Sequence, residues 1–154
     1  MNTIAVSYES EDMAERAPES LVVRIVDRVL KELGIDDVEV SCAFVSDESI
    51  RTLNRTYRQK DESTDILSFP QVEEDEGFLF KNSPELLGDM IISLESMQYN
   101  CESFAVSAQE ELVRLLIHGT LHLLGEDHES NDELEPMLQQ QERLLDILRK
   151  EIGN

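Results

Sequence analysis

The sequence predicts a single α+β domain: a four-stranded mixed sheet packed by about five helices, with a central helix carrying paired histidines. Three observations predict this. Segments of alternating apolar residues are interleaved with segments of helical spacing from one end to the other. No linker, internal repeat or shift in composition divides residues 1–154. One stretch, Leu112 to Leu124, is apolar on most sides, the mark of a helix enclosed by other elements. A chain of 154 residues suits one such domain, burying roughly 70% of its unfolded surface.

The elements follow in order. Ile4, Val6 and Tyr8 alternate with polar residues between Asn2 and Glu9, which predicts a strand. Ser10 to Ala17 is acidic and polar and is expected to be a loop. Pro18 then opens a helix bearing Leu21, Val22, Ile25, Val26, Val29, Leu30 and Leu33, and Gly34 closes it. Val38 to Val45 is a second strand with Val38, Val40, Cys42 and Phe44 on one face. Ser46 caps a short helix whose first turn carries Asp47 and Glu48, favourable at a positive terminus, and which holds Ile50, Leu53 and Tyr57. Thr64 to Pro70 is a third strand, Gln71 to Pro84 an acidic solvated loop, and Leu86 to Leu94 a fourth strand. A short helix over Ser93 to Cys101 precedes Ser107-Ala108-Gln109-Glu110, which has the form of a capping box ahead of the long apolar helix. Leu134, Leu138, Leu145, Leu148 and Ile152 mark a last amphipathic helix with Pro136 in its first turn.

Composition excludes several classes. Thirty-four acids against 13 bases give a net charge of −21. A broad basic face for indiscriminate nucleic-acid binding is therefore absent, because phosphate contacts supply most non-specific affinity. Any nucleic-acid role must use a local basic patch, a metal or a partner. No apolar run is long enough to span a bilayer, and the N-terminus lacks a basic segment followed by an apolar one, so neither a membrane span nor a signal peptide is expected. Cys42 and Cys101, widely spaced, are read as buried free thiols of a cytoplasmic protein.

All three histidines fall within His118-Gly119-Thr120-Leu121-His122-Leu123-Leu124-Gly125-Glu126-Asp127-His128. His118 and His122 are one helical turn apart and project from one face. Gly125 offers a helix stop, so the chain can turn and return His128 toward the pair. Three converging imidazoles leave a fourth metal position open, the layout of a catalytic zinc site. The spacing matches the metzincin peptidase pattern, in which a glutamate follows the first histidine as general base. Here that position is Gly119.

The second constellation is Arg51-Thr52-Leu53-Asn54-Arg55-Thr56-Tyr57-Arg58-Gln59-Lys60, which holds four of the 13 basic residues and no acid. Arginine grips phosphate oxygens bidentately and keeps its charge. Arg51, Arg55 and Arg58 recur at helical spacing and form one stripe. Beside a metal, such a stripe would stabilise charge developing on a phosphodiester.

The histidine segment, the upstream Leu53-Asn54-Arg55-Thr56-Tyr57-Arg58, Asp61, Thr64-Asp65-Ile66-Leu67-Ser68-Phe69-Pro70, and Leu87-Gly88-Asp89 together resemble the YbeY family of bacterial zinc-dependent endoribonucleases. The resemblance extends in order and spacing from about Val38 to Leu148. It implies one zinc ion held by His118, His122 and His128 on and beside the central helix, and a functional arginine at Arg58. It further implies single-stranded RNA as substrate, notably the 3′ end of the small-subunit ribosomal RNA precursor. The small ribosomal subunit and its proteins are the implied partners, with a role in ribosome quality control. Arg55 and Lys60 are candidates for holding the strand. Asp61, Glu126 and Asp127 are available as proton acceptors, and Asp89 either orients a ligand histidine or closes a strand end. Two other readings stand beside this one: a zinc peptidase or amidohydrolase, and a ribosome-assembly factor in which zinc is structural.

Overall fold

A computed structural model of the chain describes residues 1–71, 85–126 and 135–152. The solvated loop expected over Gln71 to Pro84 lies almost wholly outside the described residues. Four strands, β1 (Thr3–Tyr8), β2 (Val38–Val45), β3 (Ile66–Pro70) and β4 (Glu85–Ser93), form one sheet in the order β1-β2-β4-β3. β1, β2 and β4 are parallel, and β3 runs antiparallel to β4 at the edge, so the sheet is mixed as the sequence predicts.

The described residues contain six helices: α1 (Glu11–Arg16), α2 (Glu19–Glu32), α3 (Asp47–Arg58), α4 (Leu94–Phe104), α5 (Ala108–Leu123) and α6 (Pro136–Ile152). The helix beyond the expected five is α1, where a loop was expected. Its six residues are too few to show a period. Its ends agree with the helix dipole, with Glu11 and Asp12 in the first turn and Arg16 in the last, and Met13 is buried beneath it. The Tyr8 hydroxyl donates to the Ala17 carbonyl at 2.6 Å and ties this helix back to β1.

The other helices have the anticipated signals. Ser46, Ser93 and Ser107 each cap a helix, accepting from the backbone N–H three residues on. α2 turns its buried side, Val22, Ile25, Val26, Val29 and Leu30, toward the sheet and α5. On β2, Val38, Val40, Cys42 and Phe44 are all buried. Cys42 and Cys101 are free and buried, and burial pushes the Cys42 thiol up to about 12, keeping it protonated. α5 packs against α2, α4, α6, β3 and β4, and buries residues around most of its circumference.

The sheet carries one irregularity. Glu39 pairs with Leu86 but Val40 pairs with Gly88, leaving Leu87 as an extra residue on β4. Gly88 has φ +147°, and a Cβ there would run into the Phe69 carbonyl oxygen of β3 and lie 2.8 Å from Leu123 of α5. Glycine is required because strand, edge strand and helix end meet at this point. Gly88→Ala is expected to lower stability by about 2 kcal/mol or more, through backbone strain and displaced neighbours. Urea denaturation of the variant beside wild type measures this as a lower midpoint at unchanged slope.

Candidate active site

The burial of α5 on most sides leaves a strip where His118 and His122 emerge, each only half-buried. Their rings meet nearly edge to face, with centroids 4.6 Å apart and the two Nε2 atoms at 3.0 Å. The helix then ends as Gly125 requires. Gly125 has φ +93°, its N–H donates to the His122 carbonyl, and the Glu126 N–H donates to the Leu121 carbonyl, each at 3.0 Å. This pair of bonds is the Schellman arrangement, and it turns the chain back over the end of α5. Gly125 and Glu126 are thereby brought into the wall of the cleft that the histidines face.

That cleft has a volume of about 360 Å³, and Arg58, Ile66, Ser68 and Pro70 form its opposite side. Arg58 reaches it from the last turn of α3. Its Nη2 donates to the Ser68 carbonyl on β3 at 2.7 Å, and its guanidinium carbon lies 5.6 Å from the centre of the Phe69 ring. One bond to a neutral carbonyl leaves donors of the guanidinium for an anion. Among the described residues, no carboxylate forms an ion pair with Arg58.

The rest of the basic stripe is divided. Gln59 takes a left-handed conformation, φ 56°, and the chain folds back so that Asp61 receives Arg51 at 2.9 Å and Arg55 at 3.6 Å. Hydrogen bonding from Arg51 holds the Asp61 carboxyl below its ordinary range. Arg55 and Lys60 are exposed and lie outside the cleft lining, whereas Arg58 is part of it. His128 and Asp127 lie outside the described residues. Asp89 pairs with Phe69 across the strands and alternates with Gly88 and Met90, whose side of the sheet faces α5. Asp89 is therefore on the opposite face and does not orient a histidine of α5.

Three polar groups join the site that residue patterns had not assigned. The Ser68 hydroxyl is buried at the cleft and has no hydrogen-bond partner among the described residues. With its amide oriented to donate, Gln140 of α6 reaches both Glu126 oxygens, at 2.7 and 2.6 Å, and burial raises the Glu126 carboxyl. Gln141 Oε1 lies 2.6 Å from His118 Nδ1. The signal for Gln141 was in the sequence. It shares the inward stripe of Met137, Leu144, Leu145 and Leu148, and a polar residue on such a stripe needs a partner.

The spacing of the two histidines suits two ligands of one metal ion. Two imidazole nitrogens bound at 2.0–2.1 Å to a tetrahedral zinc lie about 3.3 Å apart, close to the separation of the two Nε2 atoms here. An outer hydrogen bond of the kind His118 makes with Gln141 is usual for a ligating histidine.

A family description of endoribonuclease YbeY matches residues 3–149. The chain belongs to the YbeY family. The endoribonuclease YbeY of Sulfurihydrogenibium sp. is 42% identical over 129 residues, covering 83% of this chain and 82% of its own length. That of Treponema denticola is 40% identical over 147 residues, covering 94% and 92%. The solution structure of TM1509 from Thermotoga maritima superposes with a TM-score of 0.64 at 27% identity, covering 97% of this chain and 91% of that one.

In this YbeY-family chain the position that separates it from a metzincin has a steric explanation. Gly119 faces the sheet: a Cβ there would collide with Met90 Sδ and lie 2.8 Å from Ile66 Cδ1. A glutamate at this position would have to force its side chain between Met90 and Ile66 and would bury a carboxylate against apolar groups. Gly119→Glu is accordingly expected to cost several kcal/mol of stability and to confer no proteolysis. Thermal unfolding and a casein-cleavage assay check this together, and a folded, proteolytic variant would refute it.

Proposed function

We propose that this cleft is the active site of a zinc-dependent endoribonuclease acting on single-stranded RNA, with the 3′ end of the small-subunit ribosomal RNA precursor as its target. The observation that carries the reading is the placement of the Arg58 guanidinium and the His118–His122 pair on one cleft, in a chain of the YbeY family. His118, His122 and His128 would hold one zinc ion, which when bound supplies Lewis-acid chemistry to a phosphodiester. Arg58 seats the phosphate and offsets the charge that builds on its oxygens during displacement.

Of the three carboxylates open as proton acceptors, Asp61 is engaged by Arg51 and Arg55 outside the cleft, and Asp127 lies outside the described residues. Glu126 is the one of the three that the described residues bring into the cleft wall. Tyr57 adds support for an unpaired strand. It is 61% exposed, braced edge-on by Phe69, and adjacent to Arg58, so its ring is available to a base whose phosphate Arg58 holds. Arg55 and Lys60 extend the contact to the backbone beyond the cleft.

A net charge of −21 disfavours adhesion to RNA at large, which suits an enzyme that meets its substrate on the small ribosomal subunit, among basic proteins, in the cytoplasm. Such a setting also accommodates a part in ribosome quality control. No helix among the described residues is long and apolar enough to cross a membrane.

Metal content and cleavage of a single-stranded RNA oligonucleotide, measured on the same preparations, test the assignment. His118→Ala is expected to lose both metal and cleavage. Arg58→Ala is expected to keep its metal and lose about 10²- to 10³-fold in kcat. Cleavage that survives chelation and His118→Ala would exclude the metal-dependent reading.

A further inference from the structure

Gln141 sits at a core position of α6, 7% exposed, yet it is polar, and both ends of its amide are used. Its Nε2 donates to Glu142 Oε2 at 3.1 Å, a carboxylate oxygen that Arg114 Nε also reaches at 3.0 Å. A carboxylate held by arginine only accepts, so the amide nitrogen must face Glu142 and the amide oxygen must face His118. At 2.6 Å that oxygen only accepts in turn, which places the hydrogen of the imidazole on Nδ1. The lone pair of His118 is then on Nε2, the atom 3.0 Å from His122 Nε2.

The bonds form a chain that leaves α5 at Arg114, crosses α6 and returns to α5 at His118. Arg114 lies one turn before His118 on α5, and its two bonds to Glu142 reach 3.0 and 3.1 Å. Glu142 holds Gln141, and Gln141 holds His118. Arg114 is fixed from its own helix as well, by Glu111 at 3.1 Å. Each member therefore has its orientation set by the one before it.

We propose that Gln141 is a positioning residue of the metal site: it holds His118 in the Nδ1–H tautomer and in the ring plane that aim Nε2 at the ion. The inference rests on the metal reading above and adds to it a residue that touches neither ion nor RNA. A neutral acceptor suffices, since only an oxygen at that distance from Nδ1 is needed.

The tests use the full chain. In the metal-free wild type, a long-range proton–nitrogen spectrum of the histidine rings reports the tautomer, and His118 is expected to carry its hydrogen on Nδ1. Zinc affinity by chelator competition is expected to fall about 10- to 100-fold in Gln141→Leu, which keeps the volume and removes the acceptor. Gln141→Glu, which keeps the acceptor toward His118 but sets its second oxygen against Glu142, is expected to lose less than Gln141→Leu. The cobalt-substituted absorption spectrum should change in the leucine variant and be preserved in the glutamate variant. An Nε2–H tautomer in the wild type, unchanged affinity in Gln141→Leu, or equal losses in both variants would each overturn the proposal. Should Gln141→Leu fail to fold, the wild-type tautomer and the Gln141→Glu affinity still decide. Should the wild type bind no zinc, the metal reading fails, and the tautomer compared between wild type and Gln141→Leu decides the positioning role separately.

Discussion

Helix α5 lies against β3 and β4 at a distance that an ordinary side chain would prevent. Gly119 gives its space to Met90 and Ile66, and Gly88 gives its space to the end of the helix at Leu123 and to the β3 backbone at Phe69 and Pro70. A helix placed there brings His118 and His122 beside the edge strand, and with it beside Arg58, which is moored on the Ser68 carbonyl of that strand. Lifting α5 by the thickness of one methyl group would widen the cleft between imidazole and guanidinium. In the proposed reading a phosphate lies between those groups, so their separation matters. The two glycines thus set the geometry of the site without touching what it binds.

The charge distribution sharpens the same arrangement. In a chain of net charge −21, positive potential cannot be maintained over a wide surface. Asp61 draws Arg51 and Arg55 into exposed pairs, worth little to stability but enough to spread their charge over a shared carboxylate. Arg58 is spared because α3 ends at that residue and its side chain crosses to β3. The half-buried histidines face it across the cleft. A cation bound there would add to the positive charge of this short stretch and, in the proposed reading, guide a phosphate to a point and not to a face.

Most of the fold was legible because its signals are local. Serine caps, the two helix-closing glycines and the alternation on β2 each act within a few residues, and each appears where the sequence places it. α1 was missed because six residues with Met13 as their buried anchor give no period to detect. The basic stripe was read correctly as a spacing but not as a shared fate. Its division depends on a left-handed Gln59 and on where Asp61 falls afterwards, and neither is a property of the stripe. Gln141 is 23 residues from His118, and only tertiary packing of α6 on α5 makes them neighbours. Glutamine on an apolar stripe declares that a partner exists and does not say which.

The site therefore has two halves assembled by different kinds of contact. The histidines and their support come from α5 and α6, which follow one another in the chain, so this half closes over short sequence separations at low entropic cost. Arg58 and Ser68 come from the middle of the chain and reach the histidines only when β3 has paired with β4 and the sheet has received α5. The half that would hold an ion is stabilised by helix packing and a chain of hydrogen bonds. The half that would hold a phosphate is stabilised by the sheet edge. Their junction is the glycine contact of α5 with the strands, and a displacement there separates the halves while leaving each intact. In the proposed reading, metal affinity and catalytic rate would be properties of different parts of the core.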